Sequence, residues 1–217
     1  ATITLEQEYA RSNPVLILQA VKALMKLLAE EFEEEFKTLL VSLYNADEKF
    51  EFNSLAVNKR RLVCTAINYL IKLDKQEYVD FALSVFNNTD NMTYHLAMLK
   101  VIINSFNRDA ANYASDNFYN EWKHDNNVID SWFSATAMSK KSTGVTEFNK
   151  LQSNQLFNHK QPNKVRALAM AFTMNENFHS EEGYQAFADL IIKMDEINSH
   201  ISSGLVRKLI SYKRYDA

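Results

Sequence analysis

Glycine and proline are nearly missing: the 217 residues include 3 and 2 of them, where average usage of about 7% and about 5% would give roughly fifteen and roughly eleven. A chain this short of turn-formers makes few tight turns, which excludes β-sandwiches, collagen-like repeats and Gly-rich phosphate loops. Long helices joined by short polar links remain. Cysteine is equally scarce. Cys64 alone supports neither a disulfide framework nor a thiolate zinc site, and reads as a small buried hydrophobe in a reducing compartment. We expect a cytoplasmic location. Charge of one sign is also lacking: 24 Lys and Arg against 27 Asp and Glu leave a net charge of −3 and a pI near 6.0. No global field draws phosphate backbones, so no nucleic-acid partner is expected. Long apolar runs are missing too. The most apolar stretch, Val15 to Leu28, falls short of the ~20 residues a membrane span needs and carries Gln19, Lys22 and Lys26. No membrane partner is expected, and the stretch is assigned to a core helix. No N-terminal signal pattern is visible, and Ala rather than Met comes first, so we expect the chain to begin at a cut.

What is present is the ordinary globular balance, 47% hydrophobic and 24% charged, which excludes disorder as the main reading and favours one helical domain over residues 1–217. Asn13-Pro14 ahead of Val15, Leu18, Val21, Leu24, Met25 and Leu28 predicts a capped helix, apolar nearly all round and so buried on several sides. The block from Glu30 to Phe36 follows, with Phe32, Phe36, Leu39, Leu40 and Leu43 keeping helical spacing; its acid reads as a solvated face, or else as a dock for a cationic partner. Leu62/Val63, Ala66/Ile67 and Leu70/Ile71 recur every four residues, one stripe of a helix over 54–73. Lys59-Arg60-Arg61 near its head reads as a wet face, badly placed for the helix dipole and so in want of a salt partner.

Further helices are expected over 76–86, 90–106 (capped by Asp90 or Thr93, with Phe106 inward), 108–123, 127–138, 145–156, 162–172, 184–194 and 201–212. Val128, Ile129, Trp132 and Phe133 form the buried face of the 127–138 segment. Links of about two to six residues are those of antiparallel helix neighbours. Stacked helix pairs of an α-solenoid fit this rhythm; without a fixed-period repeat, an irregular array or a bundle fits almost as well.

Catalytic patterns are missing. His95, His124, His159, His179 and His200 form neither a His-Glu-x-x-His helix nor any i, i+4 pair, so no self-contained zinc site is expected. There is no nucleophile elbow, Walker loop or dinucleotide fingerprint. No two carboxylates are marked as an acid–base pair.

Five segments stand in a telling order: Asn91-Met92-Thr93; Glu121-Trp122 followed by Val128 to Phe133; Gln161-Pro162-Asn163-Lys164-Val165-Arg166; and Lys213 to Ala217, all preceded by Lys59 to Leu70. From about Tyr9 to Ala217 they resemble the C-terminal helical domain of bacterial aminopeptidase N, the alanyl aminopeptidases of the zinc gluzincin family. The resemblance implies an all-α, solenoid-like array of antiparallel helix pairs of armadillo/HEAT type. It implies a non-catalytic fragment, cut at both ends, of an enzyme that removes single residues from peptide N-termini. One zinc ion would sit in an upstream catalytic domain of the same polypeptide, and no metal or other cofactor in this fragment. The domain would cover the active-site cavity and admit short peptides, keeping bulk water out. Parted from its catalytic neighbour, it would expose apolar surface. Arg166 matches the Arg of the family's Pro-Asn-basic-aliphatic-Arg segment and is the cavity-lining candidate, or else part of a structural ion pair; no catalytic residue is implied. Gly204 stands where the family places an Arg, a departure in the cavity chemistry. A free-standing helical-repeat scaffold that binds a protein partner is the alternative.

Overall fold

Asn13 opens the first helix as its sequence predicts: its Oδ1 accepts from the Leu16 N–H (3.0 Å), and Pro14 takes the first helical position, where a missing N–H costs nothing. The computed structural model describes residues 11–139 and 144–215, and within them α1 spans Pro14–Glu31. There follow α2 (Glu33–Leu43), α3 (Ser54–Leu70), α4 (Gln76–Asn88), α5 (Met92–Ile103) and α6 (Arg108–Trp122). The remainder holds α7 (Asn126–Ala137), α8 (Val145–Gln152), α9 (Pro162–Phe172), α10 (Glu181–Ile197) and α11 (Ser199–Val206). Short 3-10 turns occur at Ile71–Leu73, Glu176–His179 and Ile210–Arg214. Among the described residues, extended pairing is limited to one bridge, Ser12 with Tyr215. The last segments lie outside the described residues in part, namely Asp216 and Ala217.

Local chemistry sets several boundaries differently from the sequence expectation. The acidic block starts a helix of its own: Phe32 leaves helical geometry (φ −111°, ψ 29°), and Glu33, Glu34 and Glu35 fill the first turn of α2, where carboxylates complement the helix dipole. Asn91, rather than Asp90 or Thr93, caps α5; it is extended immediately before the first helical residue, and its Oδ1 accepts from the Thr93 N–H (2.9 Å). That helix stops at Ile103, which leaves Phe106 40% exposed instead of inward. Asp125 caps α7, accepting from the N–H groups of Asn127 (2.9 Å) and Val128 (3.0 Å). α8 ends at Gln152, and beyond it Asn154 Oδ1 accepts from the Leu156 N–H, an alternative to the helical bond that residue would otherwise make.

The larger correction concerns α1, which is not a core helix. Leu16, Leu24 and Leu27 are 61%, 56% and 61% exposed, and only Pro14 and Ala29 are buried within it. Its all-round apolar pattern asks for cover that the described residues do not supply on those sides.

The described residues group into two compact units, one of Lys22–Asn120 and the other of residues 11–21 together with the described residues from Glu121 onward. In the Lys22–Asn120 unit α2 packs on α3, α4 on α5, and α3 on α5. Val63, Ile67, Leu70, Val79, Met98, Leu99 and Ile102 are fully or almost fully buried there, each contributing roughly 1.5–3 kcal/mol by leaving water. The predicted stripe of α3 is the buried one except for Leu62, 47% exposed at its edge. In the other unit α7 packs on α9 and α10 on α11, with α8 against α9 and α10. Of the expected face of α7, Ile129, Trp132 and Phe133 are buried, and Val128 is half-buried. Phe148 stacks on Phe172 (4.1 Å between centroids), and Phe178 meets Phe172 and Phe187 edge-on.

Candidate functional site

Arg166 stands exposed near the start of α9, with no hydrogen bond or salt bridge to any described residue. The buried cation of the same segment is Lys164, 1% exposed, whose Nζ donates to Asp130 Oδ1 at 2.6 Å and lies 5.2 Å from the centre of the Phe133 ring. Ser134 ties the same two helices together: its hydroxyl lies 2.9 Å from the Ala167 carbonyl on α9 and 3.1 Å from the Asp130 carbonyl on its own helix. The two segments singled out in the sequence, 128–133 and 161–166, thus meet through Asp130 and Lys164. Sequence reasoning named Arg166 and missed this pair. The signal lay in Asp130 and Lys164 both standing on otherwise apolar helix faces.

Gly204 lies in α11 with nothing within 4 Å of where a Cβ would stand. A long side chain is therefore accommodated there, and the departure from the family pattern is not enforced by packing. Cys64 is half-buried, and burial pushes its thiol up to about 11. It is a thiol without nucleophilic character at neutral pH.

The acidic block is not uniformly solvated. Glu33 is held by Lys75 (2.6 Å), by the Tyr78 hydroxyl and by Lys37 (3.5 Å), and the Lys75 and Tyr78 hydrogen bonds keep its carboxyl below the usual range. It clamps α2 onto the start of α4. Glu30, Glu31, Glu34 and Glu35 are exposed as expected.

The basic cluster is also divided. Lys59 finds the salt partner its position called for, Glu48 at 2.9 Å, and Arg61 faces solvent, but Arg60 is only 9% exposed and is no wet-face residue.

The histidines stay apart. Among the described residues no three His, Cys, Asp or Glu side chains converge into a set able to hold a metal ion. His179 is instead enclosed by aromatic rings: Phe178 (5.1 Å), Tyr184 (6.0 Å) and Tyr215 (5.5 Å) approach it edge-on, and its Nδ1 shares a hydrogen bond with the Tyr184 hydroxyl (3.0 Å). Burial drives its pKa down to about 4. The folded chain thus holds His179 neutral, while the unfolded chain protonates it near pH 6.5. Stability is complete above about 6.5 and falls as the pH drops toward 4, by on the order of 2 kcal/mol once partial exposure is discounted. Urea midpoints at pH 7 and pH 4.5 should show this loss, and His179→Gln should remove most of the difference; an unchanged pH dependence in that variant would refute the assignment.

No described helix is long and apolar enough to cross a membrane.

Comparison with known proteins agrees with this architecture. Over 100% of its length the chain is 28% identical to aminopeptidase N of Haemophilus influenzae, covering 25% of that protein. With aminopeptidase N of Escherichia coli strain K12 the identity is 26%, over 94% of this chain and 24% of that protein. A crystal structure of Legionella pneumophila aminopeptidase A in complex with aspartic acid superposes with a TM-score of 0.85 at 26% identity, covering 100% of this chain and 26% of that one. The chain spans about a quarter of the length of these relatives. The resemblance to the helical domain of aminopeptidase N is borne out, and with it the all-α, solenoid-like class. From residue 2 to residue 217 the sequence matches one family throughout, and the chain belongs to it: the ARM-repeat family described as a domain of unknown function, DUF3458_C.

Proposed function

We propose that the chain is the non-catalytic C-terminal helical domain of a cytoplasmic, zinc-dependent aminopeptidase, a piece of a longer polypeptide whose catalytic domain precedes it. In this reading it covers the active-site cavity and limits entry to short peptides, whose N-terminal residues the parent enzyme releases. The observation that carries the reading is the match of the whole chain to about a quarter of aminopeptidase N. Surface chemistry supports it. Val41, Phe52 and Leu55 are 85%, 87% and 80% exposed, an apolar outlay that a monomer surface rarely carries and that contact with a neighbouring domain would cover. Tyr184, Val206, Leu209, Ile210 and Tyr212 likewise line an open apolar recess.

Arg166 is the cavity-lining residue of this proposal. An exposed guanidinium near the positive end of α9 is badly placed for that helix and suits an anion from outside the chain, such as a peptide's terminal carboxylate.

The test starts from the reading frame that contains this sequence. It should encode a His-Glu-x-x-His segment upstream, and the purified parent should cleave an alanyl chromogenic substrate that the 217-residue chain alone leaves intact. Arg166→Ala in the parent should raise KM severalfold for short peptides with a free C-terminus and spare amide-blocked ones. A start codon directly before this sequence, with no metallopeptidase segment, would establish the free-standing scaffold instead.

A further inference from the structure

Within the Lys22–Asn120 unit, the loop after α2, the middle of α3 and the turn between α4 and α5 line a partly open cavity of about 40 Å³. Tyr44, Asn45, Arg60, Asn91 and Tyr94 are in its wall. Arg60 is 9% exposed, and its guanidinium makes a single hydrogen bond, to the Glu51 carbonyl at 3.1 Å, while one face rests 5.1 Å from the Phe50 ring. No carboxylate forms a salt bridge with it among the described residues. Tyr94 is 8% exposed, and its hydroxyl is buried with no hydrogen-bond partner among the described residues. The Tyr94 ring packs edge-on against Tyr44 (5.7 Å between centroids), and both are in the cavity wall.

We propose that this cavity binds the carboxylate group of a small ligand, with the Arg60 guanidinium and the Tyr94 hydroxyl as its two donors and the N-terminal end of α5 behind it. A buried cation without a counter-ion is costly, and so is a buried hydroxyl without an acceptor; one carboxylate relieves both. The guanidinium fork matches a planar carboxylate. The volume equals that of roughly three waters, at about 10–15 Å³ each, enough for a carboxylate and not for a whole peptide. Charge selects the same class. Of the other ionic groups in the wall, Glu48 is taken up by Lys59 at 2.9 Å, while Asp90 and Lys49 lie exposed. A single negative charge balances Arg60, whereas a phosphate dianion would bring excess charge beside Glu48 and Asp90. Burial raises the Tyr94 phenol to about 12, which keeps it a proton donor throughout the neutral range. This assignment does not depend on the aminopeptidase reading.

The test is acetate titration of the 217-residue chain, followed by the Arg60 Nε–H resonance in nitrogen-15 NMR at constant ionic strength. A saturable shift with a millimolar midpoint is expected, and Tyr94→Phe should weaken it about tenfold without lowering the stability of the acetate-free chain. An N-acetylated dipeptide and its amide separate the sources: binding of the acid but not the amide points to a peptide terminus, and binding of acetate alone to a free small carboxylate. Chloride reproducing the shift, an unsaturable response, tighter binding of inorganic phosphate, or an affinity untouched by Tyr94→Phe would each overturn the proposal.

Discussion

Asp130→Ala is expected to lower the unfolding free energy of its unit by about 3–5 kcal/mol, because it leaves a buried ammonium without its anion. The asymmetry of the pair makes this a sharp expectation. Lys164 is 1% exposed, whereas the Asp130 side chain is 19% exposed and can regain water if its partner is lost. Lys164→Met, which keeps much of the volume and places an apolar chain against Phe133, should cost less than about 2 kcal/mol. The double variant, Asp130→Ala with Lys164→Met, should be more stable than Asp130→Ala alone, since the orphaned charge is gone. Urea unfolding followed by helix circular dichroism gives all three values. Equal losses in the two single variants would show that the pair is solvated in solution and that its burial adds nothing. The same pair accounts for the segment around Arg166: Lys164 fastens the start of α9 to α7, which leaves Arg166 free to face away from the core.

The second large effect is expected at Asn175, which is completely buried. Its Nδ2 donates to the carbonyls of Ala137 (3.2 Å) and Ser139 (2.9 Å), and its Oδ1 accepts from the backbone N–H (3.0 Å) and side-chain Nδ2 (2.8 Å) of Asn177. One amide thus serves the end of α7 and the 3-10 turn before α10. Asn175→Ala strands two carbonyls and an N–H out of water, at about 1 kcal/mol or more each, for a loss of roughly 2–4 kcal/mol. Asn175→Asp keeps the shape and the acceptor but loses both donations and buries a charge, so it should be no better at pH 7. Should Asn175→Asp prove as stable as the native chain, the hydrogen bonds to Ala137 and Ser139 would carry no weight. The packing around this knot also explains two of the three glycines. A Cβ on Gly183 would lie 2.1 Å from the Asn177 carbonyl oxygen, and one on Gly144, whose φ is +58°, would lie 2.4 Å from the Asn177 side chain. The turn sits where only hydrogen atoms fit.

Local order was legible in the sequence alone. The helical class, the Asn13 cap, the buried stripes of α3 and α7 and the ordered segments of the aminopeptidase resemblance all depend on residues within a turn or two of one another. A 3.6-residue period is written in the chain itself. Burial is different, because it depends on what lies opposite. The apolar pattern of α1 is real, yet Leu16, Leu24 and Leu27 stay exposed because nothing in the described residues packs over them. Arg60 sits in a basic run that reads as solvent-facing, and tertiary contacts bury it over Phe50, as they bury Lys164 between Asp130 and Phe133. The Asn175 knot joins backbone groups more than thirty-five residues away in sequence. The cavity of Arg60 and Tyr94 brings together two connections of the chain and the middle of α3. Periodicity, caps and breaks were set by neighbouring residues; which charges lie inside was decided by distant segments closing over them and removing water.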